Sequence, residues 1–419
     1  TVKPNGGRGW ASLDVTVSTT ADQTPLSAGN KVSDVTRGGR RTARFVSRVP
    51  IRPDFAVLSA RYAEKHRKHG GVDLSVYYHP AHAWNVDRML DAMAASLDYY
   101  QANYGPYQFD HARIVELPSY WKGAQAFAGT MPYSENAGFL SDYTVPETMD
   151  FVAGMTAHEV AHQWWAHQVA NAEMEGALVL NETLAQYSAL MVMKKTRGAD
   201  QVRRYLLYDL DEYLVGRAMD YNDETPLARV LGQGYVAYKK GALVMYLLQE
   251  RLGEAAVNRA LRSLVERYKF KGAPYPRSLD VVAALRAEAK TTEDQNLITD
   301  LWERITFYDL RVAEPTAVQR ADGKWDVTVP VQARKMYADG QGVSTETPLN
   351  EPIEVGLFTE KPGRDAFDKN DIVLMERQPI KSGKQVLKFV AAKRPLYAGV
   401  DPYNFYIDRR PHDNLGLVN

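Results

Sequence analysis

Hydrophobic positions recur along this chain with two different periods, and the period changes twice. In residues 1–83 apolar and polar positions alternate in short runs, at 11–18, 43–49 and 72–78, with Gly, Pro and Asn between them. Period two predicts half-buried strands. From Trp84 the spacing becomes helical: Met89, Leu90, Met93, Leu97 and Tyr100 recur at three- and four-residue steps. The same reading predicts helices over 146–169 and over 181–197, where Gly198 supplies a stop, and near 200–216, 237–252, 254–268, 278–290 and 293–305. Beyond Leu310 alternation returns. Asp322-Gly323 between two apolar runs is a hairpin signature, and further strands are expected at 353–358, 371–375 and 385–390. The pattern predicts a multidomain α+β chain: an N-terminal β domain over 1–83, a mostly helical domain over 84–310 and a C-terminal β-sandwich over 311–419.

Composition adds exclusions. The 419 residues hold 51 Lys plus Arg against 51 Asp plus Glu, so no global charge points to nucleic acid or an anionic membrane. With no cysteine there is no disulfide framework, thiolate site or Cys nucleophile. No apolar run approaches the roughly 20 residues that span a bilayer. A chain that opens on Thr1 is expected to be a soluble piece of a longer protein. Arg61, Lys65, Arg67 and Lys68 with His66 and His69 form a basic cluster, read as a solvated loop flank rather than an anion patch.

The chemistry concentrates at His158-Glu159-Val160-Ala161-His162. Residues four apart lie on nearly the same face of a helix, so two imidazoles can address one cation, with Glu159 beside them to act on a water. Zinc suits such a pair because it accepts neutral imidazole nitrogens and keeps a position open. The alternative, two plain core histidines, leaves a charged Glu159 on an apolar helix beside Trp164 and Trp165, which is costly to bury unpaired. For a third ligand Glu182, on the first turn of the next helix, is preferred. His167 is a rival turned to another side of the helix, and Glu173 and Glu175 are weaker rivals on the connection.

These residues resemble the gluzincin metallopeptidases, most closely the aminopeptidase N and leukotriene hydrolase family. Three motifs match in order: His158 to Trp165 followed by Leu180-Asn181-Glu182 with Ala185 and Tyr187; Met131 to Gly138, similar to the family's Gly-x-Met-Glu-Asn strand; and Tyr238-Lys239-Lys240-Gly241-Ala242, similar to its Tyr-Glu-Lys-Gly. The resemblance implies a thermolysin-like catalytic domain and an aminopeptidase holding zinc with His158, His162 and Glu182. Glu159 is then the catalytic carboxylate and Tyr238 the oxyanion donor. Glu135 is expected to bind the free amino terminus of a peptide substrate, and its neighbours Ser134 and Asn136 are expected to take part in substrate binding. Tyr120, Trp121, Phe127 and Phe139 are candidates for the pocket wall.

Three departures stand out. The family's N-terminal β domain is larger than 83 residues, so the resemblance implies that the one over 1–83 is truncated. Residues 163–181 separate His162 from Glu182, one more than the family's usual spacing, although thermolysin-like gluzincins use the longer one. Tyr133 and Ser134 replace the residues before the family's Glu. The wording of 162–168 and of 401–409 resembles the peptidase region attached to certain bacterial membrane permeases, which implies a membrane-attached full-length protein. A thermolysin-like endopeptidase and a non-catalytic peptide-binding module are the other readings of the same residues.

Overall fold

A computed structural model describes residues 9–120, 122–142, 149–363 and 367–419. Trp121 and the expected helix start at Pro146 lie outside the described residues. The order is a β region, a helical middle and a C-terminal β region, and the chain divides into two compact units, 1–196 with 254–288, and 197–253 with 289–419.

The first unit opens with strands β1 (Asp14–Thr20), β2 (Thr24–Ser27), β3 (Asn30–Arg37), β4 (Arg40–Val46) and β5 (Val57–Ala60). They form a three-stranded antiparallel sheet, β1-β4-β3, and an antiparallel pair, β2-β5. A second sheet has the order β6 (Ala63–His69), β7 (Val72–Tyr78), β8 (His111–Leu117), β9 (Thr130–Ser134). Its β6-β7 pair is antiparallel, whereas β7, β8 and β9 run parallel. Parallel neighbours need a crossover, and helix α1 (Val86–Tyr104) provides it between β7 and β8. Strand β8 is almost wholly buried, as a parallel strand covered on both faces should be. Because its residues do not alternate, period two does not reveal it.

Apart from Arg61, which precedes it, the basic cluster belongs to β6, not to a loop flank. Lys65, Arg67 and His69 reach Asp87, Asp91 and Asp98 of α1 at 2.7, 2.5 and 2.7 Å. A strand polar on both faces gives no hydrophobic alternation, so the sequence pattern conceals it. The helices α2 (Glu135–Gly138), α3 (Phe151–Ala161), α4 (Leu184–Arg197), α7 (Glu254–Tyr268) and α8 (Ser278–Glu288) follow, with only the last residue of α4 falling in the other unit. The Tyr100 hydroxyl donates to the Ala157 carbonyl at 2.8 Å, tying α1 to α3, and Asn258 of α7 donates to the Tyr99 hydroxyl at 3.1 Å.

The second unit holds α5 (Ala199–Met219), α6 (Gly241–Leu252), α9 (Thr292–Ile298) and strands from β10 (Ile305–Val312) onward. Here β12 (Trp325–Ala338) is longer than its expected run and pairs with β10, with β11 (Thr316–Gln319), with β13 (Ser344–Thr347) and with β16 (Gly383–Ala391). A four-stranded antiparallel sheet joins β15 (Ile372–Lys381), β14 (Asn350–Phe358), β17 (Tyr397–Val400) and β18 (Leu415–Leu417). Alternate residues of β12, among them Val327, Val329, Val331 and Ala333, are buried. Among the described residues no helix is long and apolar enough to cross a membrane.

Candidate metal centre

Helix α3 starts at Asp150, whose carboxylate accepts the backbone N–H of Ala153 at 3.0 Å, satisfying one of the free donors of the first turn. Arg88 binds the other carboxylate oxygen at 2.5 Å. The helix is buried along most of its length, and it ends at Ala161 with His162 as its cap. Residues 162–168 turn away, so His167 is not on the helix; its Nε2 bonds the Ala126 carbonyl at 3.0 Å. This excludes the reading of His167 as a side chain on the far face of one long helix.

Gln163 fixes this turn. Its amide donates to the Phe127 carbonyl at 3.1 Å and accepts the Gly129 N–H at 2.9 Å. Gly129 has φ +62°, and a Cβ there would stand 2.6 Å from His111 Nε2. Only glycine meets both demands without strain.

His158, His162 and Glu182 converge. His158 Nε2 lies 3.1 Å from His162 Nε2, and Glu182 Oε2 lies 3.3 and 3.5 Å from them. Glu182 sits in a π turn, Val179–Thr183, that leads into α4. Each hydrogen bond of such a turn spans one more residue than in an α-helix. The other imidazole nitrogens are engaged: His158 Nδ1 with Gln186 Oε1 at 3.0 Å, His162 Nδ1 with the Trp165 carbonyl at 3.1 Å. Both partners are acceptors, so Nδ1 carries the hydrogen and each Nε2 presents a lone pair. Two lone pairs and a carboxylate oxygen facing one another need a cation among them, and the donor set fits a divalent ion such as zinc. A proton can take the same place. Burial is the largest influence on His162 and pulls it down, yet Glu182, Glu159 and the Trp165 carbonyl hold it up at about 9. Burial likewise pushes Glu182 up, and the two imidazoles overcome it and keep the carboxylate ionised.

Glu159 is buried beside the three ligands. Burial raises its pKa, the imidazoles oppose the shift, and the Glu182 charge reinforces it. Glu135 opens α2 directly after β9 and accepts the Ser119 N–H at 3.0 Å. Contact with Ser119, side chain first and then N–H, lowers its pKa, and His82 and His79 add to the shift. Ser134 is buried and its hydroxyl accepts the Gly123 N–H at 3.3 Å, while Asn136 is exposed. Of the pocket candidates, Tyr120 is exposed, Phe127 half-buried and Phe139 fully buried. Tyr238 belongs to the other unit, in a π turn (Tyr235–Lys240) that precedes α6. Sequence reasoning missed Gln186, although its place four residues after Glu182 puts it on the same side of the helix. It also missed His82 and Glu116, which no local motif marks.

The family model described as the peptidase family M1 domain matches residues 88–303, just over half of the chain. Endoplasmic reticulum aminopeptidase 2 of Homo sapiens is 26% identical over 212 residues, 48% of this chain and 22% of that protein. Aminopeptidase N of Lactobacillus delbrueckii subsp. lactis is 26% identical over 231 residues, 52% of this chain and 27% of that protein. The chain thus spans about a quarter of the length of these curated relatives. Its fold is similar to the crystal structure of an M1 zinc metallopeptidase from Deinococcus radiodurans, with TM-score 0.56 and 20% identity, covering 71% of this chain and 65% of that one. The matched segment contains the whole converging triad, and on that match the chain belongs to peptidase family M1.

Proposed function

We propose that this protein is a zinc aminopeptidase that removes the N-terminal residue of peptides. The observation that carries the reading is the convergence of His158, His162 and Glu182 beside a buried Glu159. The aminopeptidase names of the family relatives support the choice of reaction. Zinc held by the three side chains would lower the pKa of a water and polarise the scissile carbonyl.

The chain's own residues supply the rest. Glu159, its pKa raised by burial, takes the proton of the attacking water and returns it to the leaving amine. Glu135, kept ionised by Ser119 and the nearby imidazoles, receives the α-ammonium and fixes where the chain starts relative to the cut. Ser134 and Asn136, its neighbours, share in substrate binding, Ser134 accepting the Gly123 N–H and Asn136 exposed. On its Tyr-Lys-Lys-Gly motif alone, Tyr238 is the proposed oxyanion donor; loss of such a donor typically lowers turnover about 100- to 1000-fold.

The test is hydrolysis of aminoacyl fluorogenic amides with free and acetylated amino groups, with and without a zinc chelator. Chelator-sensitive cleavage of the free-amine set alone is expected. Equal cleavage of both sets would replace the aminopeptidase by an endopeptidase. No cleavage by protein loaded with a single zinc per chain would leave a peptide-binding module.

A further inference from the structure

The geometry points to a second divalent-cation site, formed by His82, Glu116 and Glu135, in addition to the one at His158, His162 and Glu182. One ligand atom from each of the three residues lies within 4.8 Å of the others. They come together for a topological reason. Strands β7, β8 and β9 run parallel, so their C-terminal ends share one edge of the sheet. His82 follows β7, Glu116 is the penultimate residue of β8, and Glu135 is the first residue after β9. The C-terminal edge of parallel strands is where open α/β sheets place their ligands.

The electrostatics of the cluster ask for a cation. Glu116 is buried, with 6% of its surface exposed, and Glu135 is half-buried. Among the described residues no Lys or Arg pairs with either carboxylate. Glu116 is held by His82 Nδ1 on Oε1 and by the His79 N–H on Oε2, both at 2.5 Å. Glu135 has the Ser119 N–H at 3.0 Å. The His79 and His82 rings stand 4.7 Å apart. Two carboxylates this close, with only imidazoles as possible counter-charges, repel each other unless a cation lies between them. An imidazole and two carboxylates form a donor set for zinc or a similar first-row ion. The ion takes the place of the proton that His82 shares with Glu116.

The site stands on this geometry alone. Its consequence rests on the reading of Glu135 as the amine anchor: an ion on Glu135 and a substrate α-ammonium cannot occupy it together, so the second ion excludes substrate.

The experiment is a count of bound zinc per chain, by equilibrium dialysis at micromolar free zinc and elemental analysis. Wild type is compared with His82→Ala, Glu116→Gln and His158→Ala. Two ions are expected in wild type and one in each variant. Circular dichroism checks folding, and if Glu116→Gln does not fold, the more exposed His82 variant decides. One ion in wild type that persists in His82→Ala overturns the second site and leaves the peptidase reading intact. Two ions in His82→Ala also overturn it. One ion in wild type that persists in His158→Ala and disappears in His82→Ala supports the second site and removes the zinc-peptidase reading instead.

Discussion

At the scale of single residues, the roles proposed for the buried cluster separate cleanly under substitution. Glu159→Gln keeps the shape of the site and its three ligands, so bound zinc is expected to stay near the wild-type amount. Turnover of a free-amine amide should drop by about 100- to 10,000-fold. Retention of near-normal turnover would remove Glu159 from the mechanism. Gln186 touches His158 rather than the ion. Gln186→Ala should therefore weaken zinc binding by about 10- to 100-fold, read by competition with a chromophoric chelator. An unchanged affinity would show that the Gln186 contact does not orient the imidazole. Protons and zinc also compete. With His162 held up at about 9 in the metal-free protein, binding must displace a proton throughout the neutral range. Apparent zinc affinity should rise about tenfold per pH unit from pH 6.5 to 8.5. A histidine at its ordinary value of about 6.5 would give a flat profile there instead. His158, Glu159 and His162 could be picked from the sequence because helical spacing relates them, and Glu182 through the resemblance of its motif; Glu116 matters through contacts that no spacing encodes.

At the scale of elements, the π turn under Glu182 is the informative one. The connection from His162 carries one residue more than the family's usual spacing, and Val179–Thr183 is a turn that holds one residue more than an α-turn. Deleting Asn181 should let this turn close as α-helix while Glu182 keeps its place. Zinc content is expected to survive the deletion, and its loss would show that the extra residue is taken up elsewhere in 163–178. Helices with a clear apolar stripe, such as α1 and α7, were legible. Strands β6 and β8 were not, the first polar on both faces and the second buried on both. In each case the environment of the strand, not its own sequence, decides which positions are covered.

At the scale of the molecule, the first unit stores a pH response in its sheet. His111 of β8 is buried with no hydrogen-bond partner for Nε2. Burial first, and Arg113 second, lower its pKa to about 4 despite Asp110. Below about pH 6.5 the unfolded chain takes up a proton that the folded chain refuses until about pH 4. Stability is thus full above pH 6.5 and falls as the pH drops, by up to about 3 kcal/mol from this group. Urea midpoints of wild type and His111→Gln across pH 4 to 7 check it. The variant should lose this part of the slope, and parallel curves would assign acid sensitivity to other groups. The sequence by itself determined the order of β, helical and β regions and the family, because periodicity and short-range motifs are properties of neighbouring residues. Only the tertiary structure decided which acids and imidazoles share a space. Glu182 meets His158 across a turn, and Glu116 meets His82 and Glu135 because three strands run parallel. Such encounters depend on how separate segments pack, which no single segment specifies.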